Sequence, residues 1–475
     1  PEILREVLIN ELEDELTTHA VHHLAIASPS SSAKFGASAW QGAALTLFAG
    51  LVIAFTTMAP SAASFAVHLV VSTFFIICVL LRIVAAAQYQ ESAYAPLKPT
   101  RARSKPVYSV MVPLHDEAEI VPDLIEALRA LKWPRSKLEI KLVCEADDWS
   151  TLLALEAQNL DSRFEVVKVP VGHPRTKPKA LCYAMMFTSG QFITVYDAED
   201  RPHPEQLLEA AQAFRNGKDN LACVQAPLVT TNLERNWLTA LFHFEYAGLF
   251  GGLLPWLARR RAPLLLGGTS NHFKRSALLR VGLWDPYNVT EDADLGLRLW
   301  RHGLQTEMIT RPTLEDAPRS LGVWLPQRTR WFKGWMQTWT VQMRQPSALT
   351  SNMSWRSFLI TQFLLTGTIV SALFHPIVLS TAMLLSHATL TQSAENFWHY
   401  RLAMVDICTI LGAYVGHIVL CWRATEPSNR TFVAKHVWLV PLYWLALSWA
   451  AWRGLYQLFA KPFYWEKTPH PPHEK

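Results

Sequence analysis

Three acidic groups and one basic group carry residue types that could do chemistry together. The apolar run 138–144 ends in Glu145-Ala146-Asp147-Asp148, and the apolar run 192–196 ends in Asp197-Ala198-Glu199-Asp200. Ligands of open α/β sheets bind outside the carboxyl ends of the strands. Carboxylates gathered at such an edge repel one another unless a cation or a bound donor compensates. A divalent metal with oxygen ligands is the usual cation, and it would also neutralise a diphosphate. Solvated turn residues are the competing explanation, because Asp favours turns. Two clusters in register leave the two explanations evenly matched. The third acidic group is Thr290-Glu291-Asp292, followed by Asp294 and a helical pattern at 295–302, so Thr290 or Asp292 could equally be an N-cap. The basic group is Gln327-Arg328-Thr329-Arg330-Trp331. There Arg330 offers a planar fork for phosphate and Trp331 a flat apolar face for a sugar ring, while a basic helix on a membrane surface is the alternative.

These residues need elements to hold them. Residues 104–345 alternate strand-length apolar runs (107–114, 138–144) with helical patterns (120–131, 204–215), which predicts a parallel-sheet α/β domain. Apolar regions flank it on both sides. No Asp, Glu, Lys or Arg occurs over the 47 residues 35–81, about 70 Å of helix, which is two membrane crossings broken at Met58-Ala59-Pro60-Ser61. Lys34 on one flank and Arg82, Arg101, Arg103 and Lys105 on the other place both flanks in the cytosol. Residues 357–394 form a second charge-free run with Pro376 near its middle. A hairpin there, with spans at 402–421 and 437–452, gives four C-terminal crossings in 357–453, three being the alternative. Asp406 falls within a span, as a functional group or a snorkelling one.

Residues 1–34 read as a cytosolic segment with an amphipathic helix at 1–23, and residues 35–86 as the membrane hairpin. The segments 237–258 and 331–343 read as helices in the membrane interface, and residues 454–475 as a cytosolic tail. Only 17% of residues are charged, with 19 Trp and 22 Phe, which argues against a plain soluble enzyme and excludes a disordered chain. The net charge of +5 fits an anionic membrane surface or phosphorylated substrates and gives little support to nucleic acid as a partner. The six cysteines are scattered without a CxxC, so neither a zinc cluster nor a disulfide framework is indicated.

The order Asp147/Asp148, Asp197-Ala198-Glu199, Thr290-Glu291-Asp292, Gln327-x-x-Arg330-Trp331 resembles the D, DxD, TED, QxxRW series of processive family 2 glycosyltransferases, which include cellulose synthase and hyaluronan synthase. The resemblance covers residues 106–345, and the flanking apolar regions agree with it. It implies a GT-A fold, a Rossmann-like mixed α/β sheet in the cytosol, attached to an α-helical transmembrane region with interfacial helices. It implies that Pro113, Glu117 and one of Asp147 or Asp148 bind the nucleotide. Lys177, Lys179 and Asp197 would meet the donor's diphosphate, and Asp197 with Glu199 or Asp200 would hold Mg²⁺ or Mn²⁺. Asp292 would be the catalytic base within Thr290-Glu291-Asp292. Gln327, Arg328, Arg330 and Trp331, with Gly268 and Thr269, would serve the diphosphate and the acceptor end. Trp465, Lys467 and Thr468 in the tail would cover the nucleotide as a gating segment, an interfacial anchor being the alternative.

On this resemblance the chain is expected to be an integral protein of a bacterial inner membrane. It would polymerise sugar from a nucleotide-sugar donor, UDP-glucose first, into a β-linked polysaccharide extruded through its own spans. UDP-N-acetylglucosamine and GDP-mannose stay open as donors. A nonprocessive transferase handing one sugar to a lipid is the first rival, and a nonenzymatic membrane scaffold or transporter the second. Protein partners are unreadable.

Overall fold

The computed structural model describes residues 11–91, 93–94, 96–98, 105–347, 353–391 and 397–467. Arg101, Arg103, Thr468 and the first part of the helix expected at 1–23 lie outside them; the helix itself runs Glu13–Ala27.

The catalytic-type motifs sit on a seven-stranded sheet built from β1 (Tyr108–Leu114), β2 (Leu138–Glu145), β3 (Phe164–Val169), β4 (Phe192–Val195), β6 (Leu221–Gln225), β8 (Asn271–Lys274) and β9 (Gln305–Met308), in the order β3-β2-β1-β4-β8-β6-β9. The strands β1, β2, β3 and β4 pair in parallel, whereas β8 lies antiparallel between β4 and β6. The sheet is therefore mixed rather than purely parallel. That reversal has a consequence for the site. The carboxyl ends of β1, β2 and β4 and the amino end of β8 face the same edge, so the loop 267–270 before β8 arrives beside Asp197 after β4. A small second sheet, β5 (Arg201–Pro202), β10 (Thr313–Glu315) and β7 (Leu228–Thr230), closes one side in the order β5-β10-β7. Apolar side chains that alternate along β1, such as Val110 and Met111, are fully buried on opposite faces of the sheet in two core clusters.

Both expected interfacial segments are helical. Trp237–Tyr246, a π-turn at Ala247–Leu253 and Leu254–Arg259 run on as one rod. The motif helix is Leu321–Gln342, which starts ten residues before the expected 331 and carries Pro326 in its second turn. Among the described residues four helices are long and apolar enough to cross a membrane: Ala39–Met58, Pro60–Ala87, Trp355–Ala388 and Arg401–Ala424.

The run 357–394 does not form the expected hairpin. It is one helix from Trp355 to Leu390 that passes through Pro376. Pro376 has no N–H to offer the Ala372 carbonyl four residues back; the neighbouring Leu373 carbonyl accepts a hydrogen bond from Trp452 Nε1 (3.0 Å), a partner from another helix. Three long C-terminal helices result, the others being Phe397–Ala424 and Val440–Ala460. Asp406 does not snorkel. It is buried, with His68 Nε2 at 3.1 Å and Ser72 Oγ donating at 3.3 Å.

A glycine seam joins the two regions. A Cβ on Gly248 would stand 2.3 Å from Cys421 Sγ, and one on Gly252 would stand 2.8 Å from Leu420 Cδ1. The interfacial rod and helix Phe397–Ala424 thus approach closely, with the Cys421 and Leu420 side chains packed where a larger residue on the rod would stand. Gly248→Val is expected to cost about 1–3 kcal/mol through overpacking, whereas Gly42→Ala, with open space around it, is expected to be neutral or stabilising by up to about 1 kcal/mol. Thermal unfolding of the two variants in detergent checks the contrast.

Candidate active site

At the shared edge of the sheet the far-apart motifs converge. Lys177 Nζ donates to the Gly268 carbonyl (2.6 Å) and is ion-paired with Asp197. A Cβ on Gly268 would lie 3.4 Å from Asp292 Oδ2, 3.9 Å from Asp197 Oδ2 and 3.9 Å from Lys177 Nζ. Gly268 is thus the floor on which Asp197, Asp292 and Lys177 meet, and a larger residue would intrude among them. The cavity above it measures ≈ 460 Å³. Of the residues expected in the site, Pro113, Glu117, Lys177, Asp197, Glu199, Gly268, Thr269, Thr290, Glu291, Asp292, Gln327, Arg330, Trp331 and Trp465 line it.

Charge dominates this cavity. Burial raises the carboxyls of Glu291 and Asp292 above the usual range, helped at Glu291 by the Asp292 charge and at both by that of Asp197. Burial, followed by the charges of Asp200, Glu199 and Asp197, raises Glu315, which enters from the end of β10. Burial pulls the Lys177 ammonium down, but Asp197, Glu291 and Asp292 outweigh it and hold the pKa well above the ordinary value. The donor set fits a hard divalent cation, because Asp197 and Glu199 offer oxygen atoms to a cavity where acidic groups outnumber basic ones.

Several expected contacts are not made. Asp200 turns into the protein, where it accepts from the Asp197 amide (2.7 Å) and from Thr269 Oγ1, so it braces the turn instead of facing the cavity. Asp148 is the N-cap of helix Trp149–Glu156, accepting from the Thr151 amide (3.2 Å) and also from the Asp116 amide (2.6 Å). Burial pushes its carboxyl up, but these hydrogen bonds prevail and hold it below the usual range. Asp147 points outward and is bridged by both arms of Arg175 (2.7 and 3.0 Å). Lys179 is buried against Glu145 (3.0 Å) and the Pro170 carbonyl (3.1 Å), out of reach of a diphosphate. Among the described residues His115, Asp116 and Asp148 also bring ligand-type atoms within 4.8 Å of one another; the Asp148 oxygens there are those already engaged as cap and brace.

Arg328, expected at the diphosphate, lies behind Trp331 and does not line the cavity. Its guanidinium, 4.4 Å from the Trp331 ring centre, is held by both oxygens of Glu245 (3.0 and 2.7 Å) and by Tyr443 (3.1 Å). It fixes the indole from behind, while Tyr246 stacks nearby at 6.3 Å. Arg330 faces the cavity and stacks on Trp465 at 4.9 Å. The tail is tied down further by Lys467 Nζ on the Asp116 carbonyl (2.7 Å) and by Glu466 on both arms of Arg453 (2.6 and 2.9 Å).

Sequence reasoning missed Glu245, Glu315 and Gly334. Glu245 is a single acid in apolar surroundings and Glu315 stands beside Asp316, neither within a motif. Gly334 gives Thr290 its place, since a Cβ there would fall 2.3 Å from Thr290 Oγ1. The only signal in the sequence was a glycine within a helix otherwise crowded with Trp and Phe.

A second cavity of ≈ 660 Å³ lies between the apolar helices and shares Arg82, Glu245, Trp335, Thr368 and His417 with the first. Its wall mixes aliphatic residues with Thr56, Ser64, Ser371, Thr381, His375 and Trp444.

Comparisons with known proteins agree with this geometry. A family model described as "Glycosyl transferase family group 2" matches residues 192–465. The chain is 25% identical over 238 residues to a probable glycosyltransferase, YdaM, of Bacillus subtilis. It is 23% identical over 287 residues to a beta-monoglucosyldiacylglycerol synthase of Trichormus variabilis, and 24% over 243 residues to a probable glucomannan 4-beta-mannosyltransferase 1 of Arabidopsis thaliana. These matches take in 48, 58 and 48% of this chain and 55, 59 and 43% of the relatives, so the chain spans about half the length of the curated relatives it matches. Its fold resembles that of the mannosyltransferase PcManGT from Pyrobaculum calidifontis, solved with GDP-Man and Mn²⁺, at a TM-score of 0.51 and 16% identity over 83% of this chain and 99% of that one.

Gly334→Ala is expected to push Thr290 and its neighbours out of register and to lower turnover roughly 100-fold, with nucleotide affinity unchanged. Parallel measurement of turnover and nucleotide binding checks this.

Proposed function

The chain belongs to glycosyl transferase family group 2, and from that membership we propose that it builds a β-linked polysaccharide from a nucleotide-sugar donor and passes the product between its own membrane helices. The observation that carries this reading is the pair of cavities with shared walls, leading from Asp197, Lys177 and Asp292 past Trp331 into the helical region. Hydroxyls, imidazoles and indoles along the inner cavity suit a sugar chain, which needs hydrogen bonds and flat apolar faces where lipid tails need neither.

Asp197 and Glu199 would hold a Mg²⁺ or Mn²⁺ ion, whose chemistry is to neutralise a leaving diphosphate. Pro113 and Glu117 would border the nucleotide, and Trp465 would close over it. Lys177 and Arg330 would receive the charge that builds on the diphosphate as the bond to the sugar C1 breaks. The acceptor's terminal sugar would stack on Trp331. Its hydroxyl would lose a proton to Asp292 and attack C1 from the face opposite the diphosphate, so the new bond forms with inversion. UDP-glucose is the first donor to test. The helices would cross a bacterial inner membrane with the mixed sheet in the cytosol.

A second reading moves one sugar to a lipid. It is favoured by the relative from Trichormus variabilis, which is named a lipid synthase, and by the aliphatic part of the inner cavity.

Incubation of purified protein with labelled UDP-glucose, UDP-N-acetylglucosamine and GDP-mannose, followed by linkage analysis, separates the two readings. Long polymer is expected, and a single-sugar lipid product would overturn the first reading. A chelator is expected to stop transfer, and Mg²⁺ or Mn²⁺ to restore it. Asp292→Asn is expected to cut transfer roughly 10²–10⁴-fold while leaving donor binding intact, measured by titration with the nucleotide.

A further inference from the structure

Segment 28–36 contributes no residue to the cavity, yet it is bound to the elements that carry the acceptor side. Asp285 is 0% exposed, and its carboxylate accepts from Ser32 Oγ (3.1 Å) and from the Ala33 amide (2.5 Å). The same carboxylate accepts from the Tyr287 amide (3.2 Å), and the Asp285 carbonyl accepts from the Asn288 amide (3.1 Å). Asn288 carries the constraint onward. Its Oδ1 accepts from the Thr290 amide (3.0 Å), and its Nδ2 donates to Thr338 Oγ1 (3.0 Å) on the helix of Gln327, Arg330 and Trp331. Gln337 Oε1 of that helix accepts from the Val289 amide (3.2 Å).

The far end of the same helix is tied to the same segment. Arg344 donates to the carbonyls of Pro29 (3.1 Å), Ser32 (2.7 Å) and Gly36 (2.9 Å). Just beyond the segment, Trp40 Nε1 donates to the Arg344 carbonyl (2.9 Å) and Gln41 Nε2 to the Thr340 carbonyl (2.9 Å). A buried carboxylate holds its place only when its hydrogen bonds are supplied, and segment 28–36 supplies two of those at Asp285. A peripheral strap and a catalytic loop therefore share one buried anion, seven residues before Asp292.

We propose that segment 28–36 is a positioning element of the transfer step. Asp285 and Arg344 clamp it, and through residues 285–290 it sets where Glu291 and Asp292 stand relative to Trp331. The proposal rests on the reading of Asp292 as the base. Lys177 keeps its own anchors on Asp197 and the Gly268 carbonyl, and the bond that joins its helix to the loop, Thr176 Oγ1 on the Pro286 carbonyl (2.9 Å), is not one that Asp285→Asn or Ser32→Ala removes.

The test uses the full chain in detergent, with turnover and nucleotide affinity measured for Ser32→Ala, Asp285→Asn, the double variant and Asp292→Asn. Asp285→Asn is expected to lower turnover roughly 10–100-fold with donor KM and nucleotide affinity within about twofold. Ser32→Ala is expected to lower turnover less, and to add nothing on top of Asp285→Asn, because both remove one joint. Unchanged turnover in Ser32→Ala and Asp285→Asn, with Asp292→Asn inactive, overturns the proposal alone. Nucleotide affinity falling in step with turnover overturns it too, as a general loss of structure would do. Full activity of Asp292→Asn instead removes the base assignment. If Asp285→Asn fails to fold, Ser32→Ala decides: turnover lowered at constant affinity supports the positioning role, and wild-type turnover ends it.

Discussion

Repulsion among carboxylates is the constraint around which the molecule is arranged. Asp197, Glu199, Glu291, Asp292 and Glu315 approach one cavity from three separate stretches of chain. Lys177 is the buried cation that makes this tolerable, sitting between Asp197 and the Gly268 carbonyl. Such a pocket is costly for the empty protein and favourable for a cation or for groups that bring one. The energy spent in assembling it is available as binding selectivity for a ligand that carries its own compensating charge.

The rest of the fold can be understood as the means of keeping that crowd in place. Asp148 and Asp200 brace turns at the sheet edge. Arg328, locked by Glu245 and Tyr443, turns a charge that could have faced the cavity into the support for an indole. Removing Glu245 would leave the Arg328 charge buried and unmatched, a loss of up to about 3–5 kcal/mol. The glycines work by omission: Gly268 and Gly334 keep space open where polar side chains from distant segments must pass.

Much of this was legible in the sequence. The apolar runs at 107–114, 138–144 and 192–196 matched β1, β2 and β4 to within a residue, and the order of the acidic motifs pointed to the cavity that Asp197, Asp292, Arg330 and Trp331 share. What the sequence did not reveal was direction. Asp197 and Asp200 occupy the same turn, yet one faces the cavity and the other the Thr269 hydroxyl, which lies 69 residues away in the chain. Lys177 and Lys179 differ in the same way, because two residues on a helix point about 200° apart. The run through Pro376 was misread because a proline removes one hydrogen bond from a helix without having to end it. Glu245 and Gly334 had no local signature, since each matters only through a partner far along the chain.

The glycine seam at Gly248 and Gly252 has a mechanical corollary. With no side chain of its own at these two positions, the rod meets the side chains of Cys421 and Leu420 directly. Gly248, Leu420 and Cys421 also line the first cavity, so its width on that side is set by how small those three residues are.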